Sequence, residues 1–445
     1  MSELFDGVLA AGPVRAEVSD ASWLQAMLDV EAALAGALAD AGLIQHAHAN
    51  AIAEACVADY YDVTELGQQA IAVGNPAAAV VRALTAQVHG DAAGYVHLGA
   101  TSQDVMDTAA MLVSFRALEA MIADIVACCA EAATLAEEHT STLQVGRTLL
   151  QQALPTTFGF TVAGWLSGLV VATGRLAALP SAAQLGGAVG TLAAYGEQGP
   201  AVLSAFCARL DLSEPTLPWH TERTRIAELA SVLGMVCGVV SGVARTITLL
   251  AQTEVAEVFE EGPAGSGGSS TMPHKRNPVA AVSALACARQ APGLVSVLLG
   301  SMEQEYQRAA GAWHAEWRPL TELLRSTGSA VHWLRLSLER LRVDPDRMRD
   351  NLDRTGGVLL AERITGALVP KTGRLAAHDA VTECCRKAVD GEGELADLLA
   401  EDPLVGKHLD RGAIRELLDP VGYLGSAGMF VERALSVYRE EVEHW

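Results

Sequence analysis

Aromatic side chains are scarce, 5% of the 445 residues, and apolar residues recur at threes and fours where half-buried strands would require alternation. Strand-based architectures are therefore excluded, and an all-α chain is expected. Positive charge is also in short supply: 31 basic against 53 acidic residues leave a formal net charge of -22, with no Lys/Arg-rich run to offset it. Such a surface repels phosphate backbones and anionic lipid heads, so neither nucleic acid nor membrane is an expected partner. The eight cysteines form no Cys-x-x-Cys pair, and no signal-peptide pattern precedes them. They read as small buried hydrophobes of a reducing, cytoplasmic compartment. His-Glu-x-x-His, cysteine clusters and carboxylate loops are missing as well, so no metal is expected.

What is present is long apolar helix. From Leu112 the large apolar positions run Leu112, Phe115, Leu118, Ile122, Ile125 and Cys129, one face of an amphipathic helix. The proline-free run Arg225 to Glu260 predicts a second, stopped by Gly262-Pro263. Further helices are expected through Val279–Gln304 and Leu320–Leu341. Gly234, Gly238 and Gly242 lie four apart within the second helix, spacing that suits close approach of a neighbouring backbone. The uncharged stretch Thr148 to Gly174 has the length of a membrane span, but Gln151, Gln152, Pro155, Thr156 and Thr157 crowd its first half, and it reads as a helix buried in protein. Helices this apolar cannot all be hidden in one short bundle, so a shared oligomeric core is expected. Composition breaks suggest three helical domains: 1–110, with Gly74-Asn75-Pro76 as a turn; a central long-helix bundle, 111–350; and a small C-terminal domain, 351–445.

Gly262-Pro-Ala-Gly-Ser-Gly-Gly-Ser-Ser-Thr-Met-Pro-His-Lys-Arg-Asn-Pro278 carries four glycines in its first seven residues. Each glycine costs backbone entropy on ordering, so a loop that moves, or that brings amides to a ligand, explains them better than packing does. Ser269, Ser270, Lys275 and Arg276 add donors and charge, and Asn277-Pro278 reads as the cap and first-turn proline of the next helix. The segment is thereby expected to hold an anion; the plain alternative is an interhelical linker. It matches neither a P-loop nor a dinucleotide fingerprint. His46 and His48 read as a solvated helix end, and His220 and His314, beside Trp219 and Trp313, as either packed residues or ligands.

The segment Gly268-Ser-Ser-Thr-Met-Pro-His-Lys-Arg-Asn-Pro278 resembles the signature of the fumarase/aspartase superfamily. Two further blocks agree in order: His97-Leu-Gly-Ala-Thr-Ser-Gln-Asp-Val-Met-Asp-Thr108 and Gly146-Arg-Thr-Leu-Leu-Gln-Gln-Ala153. Within the superfamily the chain is most similar to the 3-carboxy-cis,cis-muconate cycloisomerase branch, through Pro218-Trp-His-Thr221, Trp313-His-Ala-Glu-Trp317 and Leu418-Asp-Pro-Val-Gly-Tyr-Leu-Gly425 among others. The resemblance implies a homotetramer whose sites are built from three subunits, a small di- or tricarboxylate substrate, no cofactor, and a role in aromatic catabolism. It implies that Thr101, Ser102 and Gln103 hold one carboxylate, that Thr148 adds a hydroxyl, and that Lys275 and Asn277 bind the carboxylate beside the reacting carbon. Ser269 would transfer the proton, with Ser270 beside it; His97, Arg147, Gln151, Met272 and His274 would line the site. Arg147 is equally readable as a buried ion pair.

The departures are specific. Many superfamily lyases place His directly after the Arg-Thr pair, where this chain has Leu149; the cycloisomerase pattern has His where this chain has Gln152. Tyr306-Gln307 and Glu222-Arg223-Thr224-Arg225 also differ from the expected runs. A neutral amide cannot shuttle a proton, so a carbon–nitrogen or other fumarate-releasing lyase, and a catalytically silent structural homologue, stand as alternatives.

Overall fold

A computed structural model of the chain describes residues 3–263, 267, 268, 272 and 275–443. Helix accounts for 69% of it and strand for 5%, which settles the all-α class. The chain forms two compact units. The first takes the residues up to Ile125 with Val171–Ser241 and Ser283–Leu334; the second takes Val126–Val170, Gly242–Val282 and everything from Arg335 onward.

In the first unit the helix Asp20–Asp40 starts where the Ser19 side chain accepts the Ser22 N–H, and it packs against the helices His46–Ala55 and Gly199–Leu210. Leu28, Leu34, Leu38, Ile52 and Phe206 fill that contact and are almost fully buried. Asn75 accepts the Ala78 N–H and Pro76 occupies the first turn, so the expected Gly-Asn-Pro turn is also the start of the helix Pro76–Gln87. The expected helix from Leu112 lies inside a 37-residue helix, Ser102–Glu138. His48 departs from the solvated reading, because its ring stacks on Tyr95 at 4.7 Å.

In the second unit two antiparallel ribbons interrupt the helices: β1 (Leu143–Thr148) with β2 (Gln151–Thr157), and β3 (Val258–Glu260) with β4 (Leu341–Val343). These correct three helix expectations. The 148–174 stretch is strand up to Thr157 and helix only from Phe158, the polar run being the return arm of a hairpin. The helix from Thr224 ends at Leu250 because the chain then turns, through Ala256 at φ +52°, into β3. The 320–341 helix runs from Ala312 to Glu339, tolerating Pro319, and Leu341 begins β4. The 279–304 helix is also broken, into Val279–Ala288 and Ala291–Gly300, with Pro292 in the first turn of the second piece. A separate C-terminal core joins Ile364, Leu368, Val381, Leu395, Leu399 and Ile414.

Of the three spaced glycines, only Gly234 has a neighbour close by: a Cβ there would lie 3.0 Å from the Val295 Cγ2, whereas Gly238 and Gly242 meet nothing within 4 Å. Phe158–Ala177, Thr224–Leu250 and residues 279–300 are each long and apolar enough to cross a bilayer by length and composition. Their most apolar windows are 50%, 50% and 33% buried, which leaves much apolar helix surface uncovered by this chain.

Candidate active site

The first unit organises the Thr101-Ser102-Gln103 block around one carboxylate. Thr101 immediately precedes the long helix, and Asp104, three residues on, reaches back to accept the Thr101 N–H at 3.0 Å, an acidic version of the capping box. The same carboxylate accepts the Gly186 and Gly187 N–H groups at 3.0 and 2.9 Å and meets the His220 Nε2 at 2.6 Å. Glycine is required at this junction. A Cβ on Gly187, whose φ is +68°, would lie 2.9 Å from the Gly99 carbonyl, and one on Gly186 would lie 2.7 Å from the His220 ring. Asp104 therefore locks the 97–101 loop, the 186–190 loop and the Trp219-His220 segment into one rigid base.

Gln103 is buried in that base. Its amide nitrogen donates to Asp107 at 3.0 Å and to the His220 carbonyl at 2.7 Å, while its oxygen lies 3.5 Å from the Arg308 Nη1. Arg308 also donates to the Gly187 carbonyl at 2.6 Å. Burial draws this guanidinium below the ordinary arginine range, opposed by the charges of Asp104 and Asp107. His97, held at φ +59°, presents its Nδ1 to Glu31 at 2.6 Å; Glu31 is fully buried, and the imidazole is 19% exposed. Burial alone would lower the imidazole pKa, but the hydrogen bond and charge of Glu31, with Asp104 behind it, raise it. Deeper still, Arg223 is gripped by Asp107 and Glu316, and two carboxylates sharing one buried cation leave the Glu316 carboxyl raised by burial.

In the second unit the tip of the β1–β2 ribbon carries the next block. Thr148 pairs with Gln151, so Leu149 and Leu150 form a two-residue turn at φ +51° and +65°, the left-handed region that such turns usually fill with Asn and Gly. Both leucines are exposed, Leu149 at 97%. Two strained leucines at an uncovered tip mark a position kept for something other than local stability. Thr148, Gln151 and Gln152 flank them and are exposed too. At the base of the ribbon the register shifts between Val145 and Arg147, and Gly146 sits at that bulge because a Cβ would lie 2.7 Å from the Leu154 carbonyl. Arg147 there pairs with Glu257 at 2.5 Å; Gln144 and Asn351 donate to the same buried carboxylate at 2.9 Å each. That is the ion-pair arrangement, with the guanidinium engaged by protein.

The signature segment changes the anion-site expectation. The Ala280 and Ala281 N–H groups at the start of the helix Val279–Ala288 both donate to Glu260, at 2.9 Å, and Ser337 donates to it at 2.7 Å. The positive end of this helix is thus already occupied by a carboxylate from β3. Asn277 spends its side chain on the Gly267 carbonyl at 3.0 Å, closing the base of the glycine loop, and Arg276 lies over the Phe259 ring. Lys275 and Met272 are exposed. Ser269, Ser270 and His274 lie outside the described residues.

Thr101, Ser102, Gln103 and His97 thus belong to the first unit, and Arg147, Thr148, Gln151, Met272, Lys275 and Asn277 to the second. Sequence reasoning passed over two groups. Glu31, twelve residues into an alanine-rich helix that begins at Asp20, gave no motif to read; Arg308 directly follows Tyr306-Gln307, the pair that departs from the family pattern, and drew no reading of its own.

Comparisons with known proteins cover nearly the whole chain. A lyase family model matches residues 8–293, and an adenylosuccinate lyase C-terminus model matches 357–434. The chain belongs to the lyase family of the fumarase/aspartase superfamily. It is 46% identical to a 3-carboxy-cis,cis-muconate cycloisomerase of Pseudomonas aeruginosa over 98% of this chain and 96% of the relative. It is 43% identical to a nitrosuccinate lyase of Streptomyces davaonensis over 100% and 96%. Among solved structures, a 3-carboxy-cis,cis-muconate lactonizing enzyme from Pseudomonas putida superposes with a TM-score of 0.93 at 41% identity, covering 99% of this chain and 100% of that one.

Proposed function

We propose that the chain is a cycloisomerase, an intramolecular lyase that closes 3-carboxy-cis,cis-muconate to carboxymuconolactone. The observation that carries this reading is the 46% identity to an enzyme of that name along essentially the whole chain. In the reaction one substrate carboxylate oxygen bonds to an alkene carbon, the π electrons move onto the neighbouring carbon as an aci-carboxylate, and that carbon takes a proton; no atom is lost. The extra charge of the intermediate calls for preorganised donors. Thr101 and Ser102 on their rigid base, with the Arg308 cation beside Gln103, suit one carboxylate. Lys275, exposed and free of a carboxylate partner in the salt bridges of the described residues, suits the one beside the reacting carbon. Gln103 and Asn277 then act by fixing backbone around the donors, and Arg147 by anchoring the ribbon that carries Thr148. Ser269 is the proton-transferring residue, activated by Lys275 and loop amides. The enzyme works as a cytoplasmic homotetramer; eight unpaired thiols and the uncovered apolar helix faces support this.

A second reading, elimination from a substituted succinate, is favoured by the nitrosuccinate lyase relative and by Gln152 at the position where a histidine was expected. An ultraviolet assay separates the two. Loss of the muconate diene absorbance supports lactonisation; turnover of nitrosuccinate to fumarate and nitrite, with the muconate untouched, overturns it.

A further inference from the structure

Glu31 carries a charge that only one group beside it can balance. It lies midway along the helix Asp20–Asp40, 1% exposed, and sets one oxygen 2.6 Å from the His97 Nδ1, while the other oxygen is buried and accepts no hydrogen bond from the described residues. The other titratable groups nearby bring no positive charge. Burial, then the charges of Glu31 and Asp29, push the Cys56 thiol up to about 12, and burial with the charges of Asp104 and Glu31 pushes the Tyr195 phenol up as well, so both stay neutral. A buried carboxylate so sparsely satisfied is costly, and its retention calls for a use beyond packing.

The imidazole it holds keeps its second nitrogen free, on the loop that leads to the Thr101 block. His97 sits at φ +59°, a region that residues other than glycine avoid, and Tyr195 fixes the loop around it: the phenol donates to the Leu98 carbonyl at 3.0 Å, and a Cβ on Gly99 would lie 2.4 Å from that ring. With Nδ1 against a fully buried oxygen, the 19% of the side chain that is exposed lies toward the opposite edge of the ring, which carries Nε2. That nitrogen has no hydrogen-bond partner among the described residues. Thr101 and Ser102, four and five residues on, are partly exposed, and Asp104, which accepts the Thr101 N–H and meets His220, also acts on the His97 charge.

We propose that Glu31 is a positioning residue for substrate binding: it fixes the His97 ring and keeps both ring nitrogens protonated, so that Nε2–H is a charged donor to the carboxylate held by Thr101 and Ser102. This rests on the reading of that block as a carboxylate holder and is the same for lactonisation and for elimination from a succinate. A charged N–H binds a carboxylate about twice as strongly as a neutral one, whereas a neutral ring bonded to Glu31 through Nδ1–H would offer the substrate only a lone pair. Burial alone would lower the imidazole, but Glu31 and Asp104 raise it above 6.5, so the donor is present below the raised value and lost as pH climbs through it.

Steady-state kinetics between about pH 6 and about pH 9.5, where substrate carboxylates stay ionised, tests this with 3-carboxy-cis,cis-muconate, or with nitrosuccinate if that is the compound turned over. In wild type KM is expected to rise with pH through the elevated His97 value while kcat stays level. Glu31→Gln should move that rise to lower pH and lift KM about tenfold at about pH 7.5, with kcat changed less than about threefold; Glu31→Asp, which restores the charge, should recover part of the loss. His97→Asn, whose side chain tolerates the left-handed backbone, should hold KM high and level across the range, and it decides the matter should Glu31→Gln not fold. A wild-type KM that does not change with pH, or a profile unaltered by Glu31→Gln, overturns the proposal. So does a rise that survives in His97→Asn, which would belong to His220 or another group, and so does a fall in kcat in place of the rise in KM, which would make His97 a proton carrier. Thr101→Ala tests the underlying reading separately: unchanged KM there removes the carboxylate block and this inference with it, whereas raised KM there beside an unaltered Glu31→Gln profile removes this inference alone. Turnover of neither compound removes both.

Discussion

The serine on the signature loop and the lysine six residues after it do different work in the proposed reaction, and substitution separates them. Ser269→Ala removes the proton-transferring hydroxyl and leaves the carboxylate holders intact, so kcat should fall by ~10²–10⁴-fold with substrate affinity retained. Lys275→Ala should weaken both binding and turnover, because its charge meets the carboxylate in the ground state and the developing charge in the transition state. Steady-state kinetics with independently measured binding decides; near-normal kcat in Ser269→Ala would move the proton to Ser270, His274 or water. The Glu31–His97 pair makes a prediction about pH. The folded imidazole is raised above its ordinary value of 6.5, so the pair's contribution to stability is complete below that value and is lost as pH rises through the elevated one. Glu31→Gln should therefore cost more stability near about pH 6 than near about pH 9 in urea unfolding; an equal penalty at both would mean that the pair is not charged in the native state.

At the scale of elements, the short ribbons carry weight out of proportion to their length. The carboxylate of Glu257, next to β3, receives Gln144 and Arg147 from β1 and Asn351 from the helix Pro345–Asp353, so three segments far apart in sequence close on one buried charge. Glu257→Gln keeps the shape and removes the charge, leaving Arg147 without a counterion; a loss of about 3 kcal/mol is expected by denaturant unfolding, the scale on which broken buried pairs fall. A change under about 0.5 kcal/mol would show that solvent already screens the pair. The ribbons are also where sequence reading went furthest astray. Helices announced themselves through apolar spacing, and the 102–138 helix contains its predicted stripe whole. Residues 148–157 did not, because a hairpin turned by two leucines lacks the glycine and asparagine that normally mark one. The candidate site residues were named as blocks, through family resemblance. Their partners were not: which of Arg147's two readings holds depends on Glu257, 110 residues away, and the helix end at Val279 looked open until Glu260 was seen to fill it.

At the scale of the whole molecule, apolar surface is left for other copies to cover. Apolar helix left uncovered by its own chain, glycines at 238 and 242 with nothing against them, and two leucines exposed at a ribbon tip all describe surfaces that other copies would cover. A homotetramer is expected, and light scattering that gave a stable monomer would remove its basis. If each site draws the Thr101 block, the Thr148 tip and the signature loop from different subunits, two inactive tetramers damaged in different blocks hold complementary good parts. Ser102→Ala and Ser269→Ala tetramers, dissociated in mild denaturant and reassembled together, should then recover a fraction of wild-type activity, since random mixing assembles some sites wholly from undamaged blocks. Neither variant treated alone should recover any. If the blocks of one site came instead from a single chain, every site in the mixture would carry one lesion, and mixed tetramers verified by mass would stay as inactive as their parents.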